Sequence, residues 1–263
     1  METWNKDNIV QANKKLEGAE LKGLDLAGVD LKNANLISAN LVSANLSGSD
    51  LSGAKIFTAK GMRANLSNTN LSGASLLKAN FSRANFNESN LNDADLMGAN
   101  LLEANLRKAY LIRAKLVEAC LTGVNLEGAD LRGANLNNAN LAGAKFNNAD
   151  VSGAEMAETD CTDVDFSNAN LSETSFKNAC LRSASFVKAK LGDADFRGAD
   201  LTDSNFSGAE LIEAKFQGVD LRKVKNISSE ELELAFIDSK TQIPDYIVVN
   251  WTSEDTYECR MRP

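Results

Sequence analysis

The chain contains no histidine, and its two prolines, Pro244 and Pro263, lie close to its C-terminus. Without histidine, the common Ser/His and Cys/His nucleophile–base pairs cannot be assembled. Proline removes a ladder donor, so more than two hundred residues without one are compatible with continuous backbone pairing. The four cysteines show no CxxC spacing, which argues against a zinc site or a disulfide framework and predicts a reducing, cytoplasmic setting. Aromatic residues make up 6% of the chain, and no stretch approaches the roughly 18 consecutive apolar residues of a membrane helix. The segment Met1-Glu2-Thr3-Trp4-Asn5-Lys6-Asp7 has no basic leader followed by an apolar run. Cations do not dominate either. The net charge of −8 disfavours binding to nucleic-acid phosphates and leaves a basic partner open.

What is there is a repeat of five. From Leu16 to Leu221 every fifth residue is apolar, Gly61 apart, and two places before it stands a small residue, usually Ala. Ala34-Asn35-Leu36, Ala104-Asn105-Leu106 and Ala199-Asp200-Leu201 keep the register with no insertion. Such a period predicts a solenoid. With the apolar residue at position zero, positions −2 to +1 alternate small, polar, large, polar, as in a very short strand buried on one face. Position +2 reads as a corner: of 17 glycines, only Gly61 and Gly192 lie elsewhere, and Asn33, Asn68, Asn138, Asn148, Asn168 and Asn178 share the slot. Gly and Asn tolerate the positive φ that a type II turn requires.

The central residues also fix the number of sides. Phe166, Phe176, Phe186, Phe196, Phe206 and Phe216 alternate with leucines. A coil of twenty residues stacks Phe on Phe and Leu on Leu, whereas a coil of fifteen would place Phe on Leu. Offset stacking of like rings at about 4.8 Å favours four sides. Asn and Asp at position −1 are expected to hydrogen-bond the adjacent turn rather than to catalyse.

The pattern resembles the pentapeptide repeat family, whose A(D/N)LXX consensus is met over roughly 80% of the chain. The resemblance implies an all-β solenoid, a right-handed quadrilateral β-helix of about ten coils at four pentapeptides each. Expected boundaries are an N-terminal cap segment at 1–15, the β-helix at 16–225, and a C-terminal cap helix and tail at 226–263. Gly61 is expected to leave a gap or local loosening, and Met156 and Cys161 interrupt the Leu/Phe ladder.

Both ends of a solenoid need cover. Ser228-Ser229-Glu230-Glu231 has the form of a capping box, with Ile227 and Leu232 as a hydrophobic staple. Leu232, Ala235 and Phe236 would then share one face against the last coil. Trp4, Ile9 and Val10 are candidates for the other end. Tyr246–Trp251 and Thr256–Met261 read as two strands of a hairpin with Thr252 to Asp255 between them, either folded onto the cap or paired with another chain.

Function is less legible. Outward position +1, elsewhere usually Ser, Thr, Asn or a charge, carries Ile37, Phe57, Leu77, Met97 and Val117 at intervals of twenty, and Val42, Met62 and Leu102 on the next side. Stacked, these form an apolar stripe on the order of several hundred Å², a size associated with contact. The chain's own termini, a second copy or another protein are the possible occupants. No constellation passes the nucleophile–base–orienter test, glycine-rich phosphate loops are absent, and no cofactor is expected. Cys120 and Cys180 fall in one column about 14 Å apart, too far for a disulfide. The leading expectation is a non-enzymatic structural or protein-interaction rod. The alternative is a DNA mimic that binds and protects DNA gyrase, as some pentapeptide repeat proteins do, although Lys145, Lys188, Lys190, Arg197 and Lys215 interrupt its acidic columns.

Overall fold

A computed structural model describes residues 4–11, 14–253 and 256–262. Its backbone pairing follows the five-residue period. Parallel bridges join position −1 of the repeats to the residue twenty further on, from Lys15↔Asn35 to Asn205↔Lys225 with Asp200 passed over. Five residues per side and twenty per coil make four sides.

All five N–H groups of a typical repeat are used, which explains why the pattern tolerates no slip. Leu36 N donates to Lys55 O at 2.8 Å, Ser38 N to Phe57 O at 3.1 Å and Asn40 N to Ala19 O at 2.9 Å, all between coils. Ala39 N closes the turn on Leu36 O at 3.0 Å. The remaining donor, Ile37 N, reaches Asn35 Oδ1 at 3.2 Å, so Asn or Asp at position −1 satisfies the turn as expected. Where that residue is Tyr110 or Glu155, an asparagine one coil below substitutes. Ile112 N donates to Asn92 Oδ1 and Ala157 N to Asn137 Oδ1, both at 2.8 Å.

Position +2 has positive φ in every repeat from Gly18 to Gly218, between 53° and 75°. Glycine is therefore common but not obligatory. Ladder and turn bonds hold Arg63, Arg83 and Glu118 in the same region, where an L-residue is strained.

Positions −2 and 0 form one continuous core. The rings stack at intervals of twenty, with centroids 4.9 Å apart for Phe196–Phe216 and 4.7 Å for Phe186–Phe206. The two phenylalanine columns meet edge-on across the interior, as in Phe186–Phe196 at 5.7 Å and 89°. Thr69 and Thr174 occupy core position −2 and each donates its hydroxyl to a carbonyl of the coil below, at 2.9 Å.

Gly61 does not leave the expected gap. A Cβ placed there would lie 2.0 Å from Phe81 Cε1, so the ring one coil above fills the vacated volume. Pairing is continuous, with Gly61 N bonded to Asn80 O at 2.6 Å.

At the N-terminus, helix α1 (Lys6–Gln11) buries Ile9 in the core, with Trp4 packed against that core, and Lys6 Nζ donates to Ala27 O at 2.9 Å. Val10 lies outside the residues whose side chains are described, as do Glu254 and Asp255 of the expected hairpin turn. At the other end, helix α2 (Ser229–Glu233) has its capping box. Ser228 N donates to Glu231 Oε2 at 2.9 Å, and Glu231 N to Ser228 Oγ at 3.1 Å. Ile227 and Leu232 are both buried.

The expectation for Phe236 fails, because it is 44% exposed. Helix α2 ends at Glu233, and the chain then resumes the ladder, with Lys215↔Phe236 and Asp220↔Gln242 bridged. Extended backbone alternates, so Ala235 and Ile237 point inward and Phe236 outward. Strands β1 (Ile247–Trp251) and β2 (Tyr257–Met261) pair antiparallel. The hairpin leans on α2 and the residues before it: Tyr246 Oη donates to Ile227 O at 3.3 Å and Tyr257 Oη to Leu232 O at 3.3 Å.

Candidate functional site: an apolar edge flanked by cations

The turn spans positions +1 and +2, so the outward apolar residues stand along an edge of the prism. Ser38 N to Phe57 O, Thr58 N to Leu77 O, Lys78 N to Met97 O and Gly98 N to Val117 O tie Ile37, Phe57, Leu77, Met97 and Val117 into one column. Ser43 N to Met62 O and Arg83 N to Leu102 O place Val42, Met62 and Leu102 on the neighbouring edge, with Ser82 between the last two. All eight are half-buried except Met62 and Met97, which are 39% and 38% exposed.

The bonds of Lys6 go to the first coils, and those of Tyr246 and Tyr257 to α2 and the residue two before it. The second edge borders a shallow recess of about 470 Å³ lined by Val42, Met62, Arg63, Arg83 and Leu102.

Charge adds a feature that period reading missed. Between Asp50 and Glu88 there is no carboxylate, but Lys55, Lys60, Arg63, Lys78 and Arg83 flank the two edges. Between Lys145 and Lys177 there is no cation, and seven carboxylates lie there. The signal is visible once acidic and basic residues are counted in windows of about two coils.

Elsewhere many carboxylates are paired with a cation of the same chain. Arg113 is bidentate to Asp93, Arg107 meets Glu127 at 2.9 Å, and Arg83 meets Glu103 at 2.8 Å. At Asp195 burial acts to raise the carboxyl, and the bonds from Arg197 outweigh it and draw it down to about 2. Burial likewise pushes the Cys161 thiol up to about 12, so it is an inert core group. Cys120 and Cys180 share a column through Asn140 and Asp160, as expected, and all four cysteines are free. Among the described residues no group of three or more metal-ligating side chains is gathered, and no helix is long and apolar enough to cross a membrane.

Comparison with known proteins agrees with this architecture. The pentapeptide repeats model matches residues 15–53, 64–101, 89–128 and 125–160, and the pentapeptide repeat region model matches 145–225. No curated protein matches the chain. Among solved structures, HetL from the cyanobacterium Nostoc sp. strain PCC 7120, a pentapeptide repeat protein involved in heterocyst differentiation regulation, is 29% identical. That match covers 81% of this chain and 97% of HetL, with a TM-score of 0.53. AT2G44920 from the Arabidopsis thaliana thylakoid lumen is 30% identical over 47% of this chain and 69% of its own, with a TM-score of 0.28. QnrB1, a plasmid-mediated fluoroquinolone resistance protein, is 18% identical over 77% of this chain and 90% of its own, with a TM-score of 0.37. On the family models, which together span most of its length, the chain belongs to the pentapeptide repeat family.

Proposed function

We propose that the protein is a non-enzymatic protein-interaction rod that makes contact through the edge Ile37, Phe57, Leu77, Met97 and Val117, with Val42, Met62 and Leu102 beside it. The body that carries this surface is taken as about ten right-handed four-sided coils over 16–225, with caps at 1–15 and 226–263. One observation carries the reading: apolar side chains recur at the coil spacing where most other repeats place polar or small ones, and the bonds of Lys6, Tyr246 and Tyr257 go elsewhere. Scattered surface apolar residues are ordinary, but a contiguous column is the signature of a contact site. HetL's involvement in regulating heterocyst differentiation is a precedent for a regulatory role on this body plan. Free cysteines support a reducing, cytoplasmic setting. A gyrase-protecting DNA mimic has less support, because Arg107, Arg113 and Arg197 neutralise the carboxylates such a surface would present.

The test is a photo-crosslinking residue at Thr58, beside Phe57, in cells expressing the protein. A discrete protein adduct, whether with itself or another chain, is expected. It should vanish with Phe57→Glu and persist with Ser207→Glu on another edge. No adduct, or one indifferent to Phe57→Glu, would overturn the proposal.

A further inference from the structure

The first apolar edge is nearly symmetric about its centre. β-Branched Ile37 and Val117 close its ends, the longer Phe57 and Met97 stand inside them, and Leu77 is in the middle. A two-fold axis through Leu77, perpendicular to the rod, would bring a second copy antiparallel. Phe57 then lies level with Met97 of the second copy, Ile37 with its Val117, and Leu77 with its own equivalent. Such a contact is isologous and closed, so it ends at two chains.

Charge selects this register. Alongside the edge, position −1 carries Lys15, Asn35, Lys55, Ser75, Asp95, Lys115 and Asn135. The axis through Leu77 sets Lys55 opposite Asp95, twice by symmetry, with no like charges opposed in that column. Slipping one coil in one direction opposes Lys55 to Lys115, and in the other Lys15 to Lys115. Among the described residues, neither Lys55 nor Asp95 forms a salt bridge within the chain, and Asp95 uses one carboxylate oxygen to accept from Met97 N at 3.1 Å. Lys78 meets its equivalent at the axis, but it is an exposed turn residue whose flexible stem can carry the ammonium into solvent. Opposed charges and a repulsive penalty on each slip are how register is specified.

We infer that this edge joins two copies of the chain antiparallel, with Leu77 on the two-fold axis and Lys55 of each copy against Asp95 of the other. The inference rests on the preceding reading of the edge as a protein contact and names its occupant. Four coil spacings give a contact about 19 Å long, shorter than an interface of about 800 Å² per partner requires, so the dimer dissociates on dilution.

Sedimentation equilibrium between micromolar and several hundred micromolar protein tests it, with circular dichroism confirming that each variant folds. Lys55→Asp and Asp95→Lys each raise the dissociation constant at least tenfold, and the double variant returns it to within threefold of wild type. A photo-crosslinking residue at Leu77 yields adducts with residues 57–97 of the second copy. The inference is overturned if the protein is monomeric throughout or if Phe57→Glu leaves the dimer intact. Rescue of Lys55→Glu by Glu155→Lys instead of Asp95→Lys would also overturn it, by moving the axis. Adducts exclusively with other proteins overturn this inference and leave the interaction-rod reading standing, whereas absence of any adduct removes both.

Discussion

Gly61 and Phe81 form one packing unit, and exchanging their sizes measures it. A leucine at position 61 restores the repeat's large central residue, but its Cβ alone would stand 2.0 Å from the Phe81 ring. Overpacking of this kind costs about 1–3 kcal/mol. Phe81→Leu withdraws the ring from the Gly61 slot and leaves a cavity, a loss of about 2 kcal/mol on the scale of large-to-small core changes. The double variant Gly61→Leu/Phe81→Leu conserves volume across the two coils and should cost less than about 1.5 kcal/mol. Part of that residue is the edge-on Phe81–Phe86 contact, with centroids 5.5 Å apart. The singles therefore couple favourably by about 2 kcal/mol. For a chain of this length each kcal/mol moves Tm by about 2–4 °C. Solenoids open locally, so hydrogen exchange at the Gly61 and Phe81 amides should accompany the melting scans. A double variant whose losses simply add would refute the claim that the ring occupies the glycine's volume.

Two further outcomes follow from the ends and the charges. Ser228→Ala should cost about 1 kcal/mol, and it should speed exchange at Phe216 and Leu221, which donate into the segment after α2, while coils near Leu101 stay protected; uniform destabilisation would contradict a local cap. Asp195 is held at about 2 by Arg197 against an ordinary value of 3.8, so its ionised form stabilises the fold fully above about pH 4, and that contribution is lost as pH falls towards 2. Asp195→Asn should flatten melting temperature against pH across that window, and an Asp195 carboxyl titrating near 4 by NMR would exclude the assignment.

The coil size, the inward Leu, Phe and Ala, the Asx-stabilised turns and the capping box were all legible in the residues. Each arises from interactions within five residues or at a fixed multiple of five, and a repeat without insertions converts linear spacing into vertical neighbours. The columns Ile37 to Val117 and Val42 to Leu102 were legible for the same reason. Phe236 was misjudged because helical and extended spacing assign it opposite sides, and the end of α2 at Glu233, set by return to the ladder at Lys215, decides between them. Gly61 was misjudged because a single repeat cannot show that the side chain twenty residues later leans into its space. By itself, then, the amino-acid order determined which residues stack, since backbone pairing is local and periodic. Only the tertiary structure decided how volume is shared between coils and where the period gives way to α2 and the hairpin, because those depend on contacts that no period encodes.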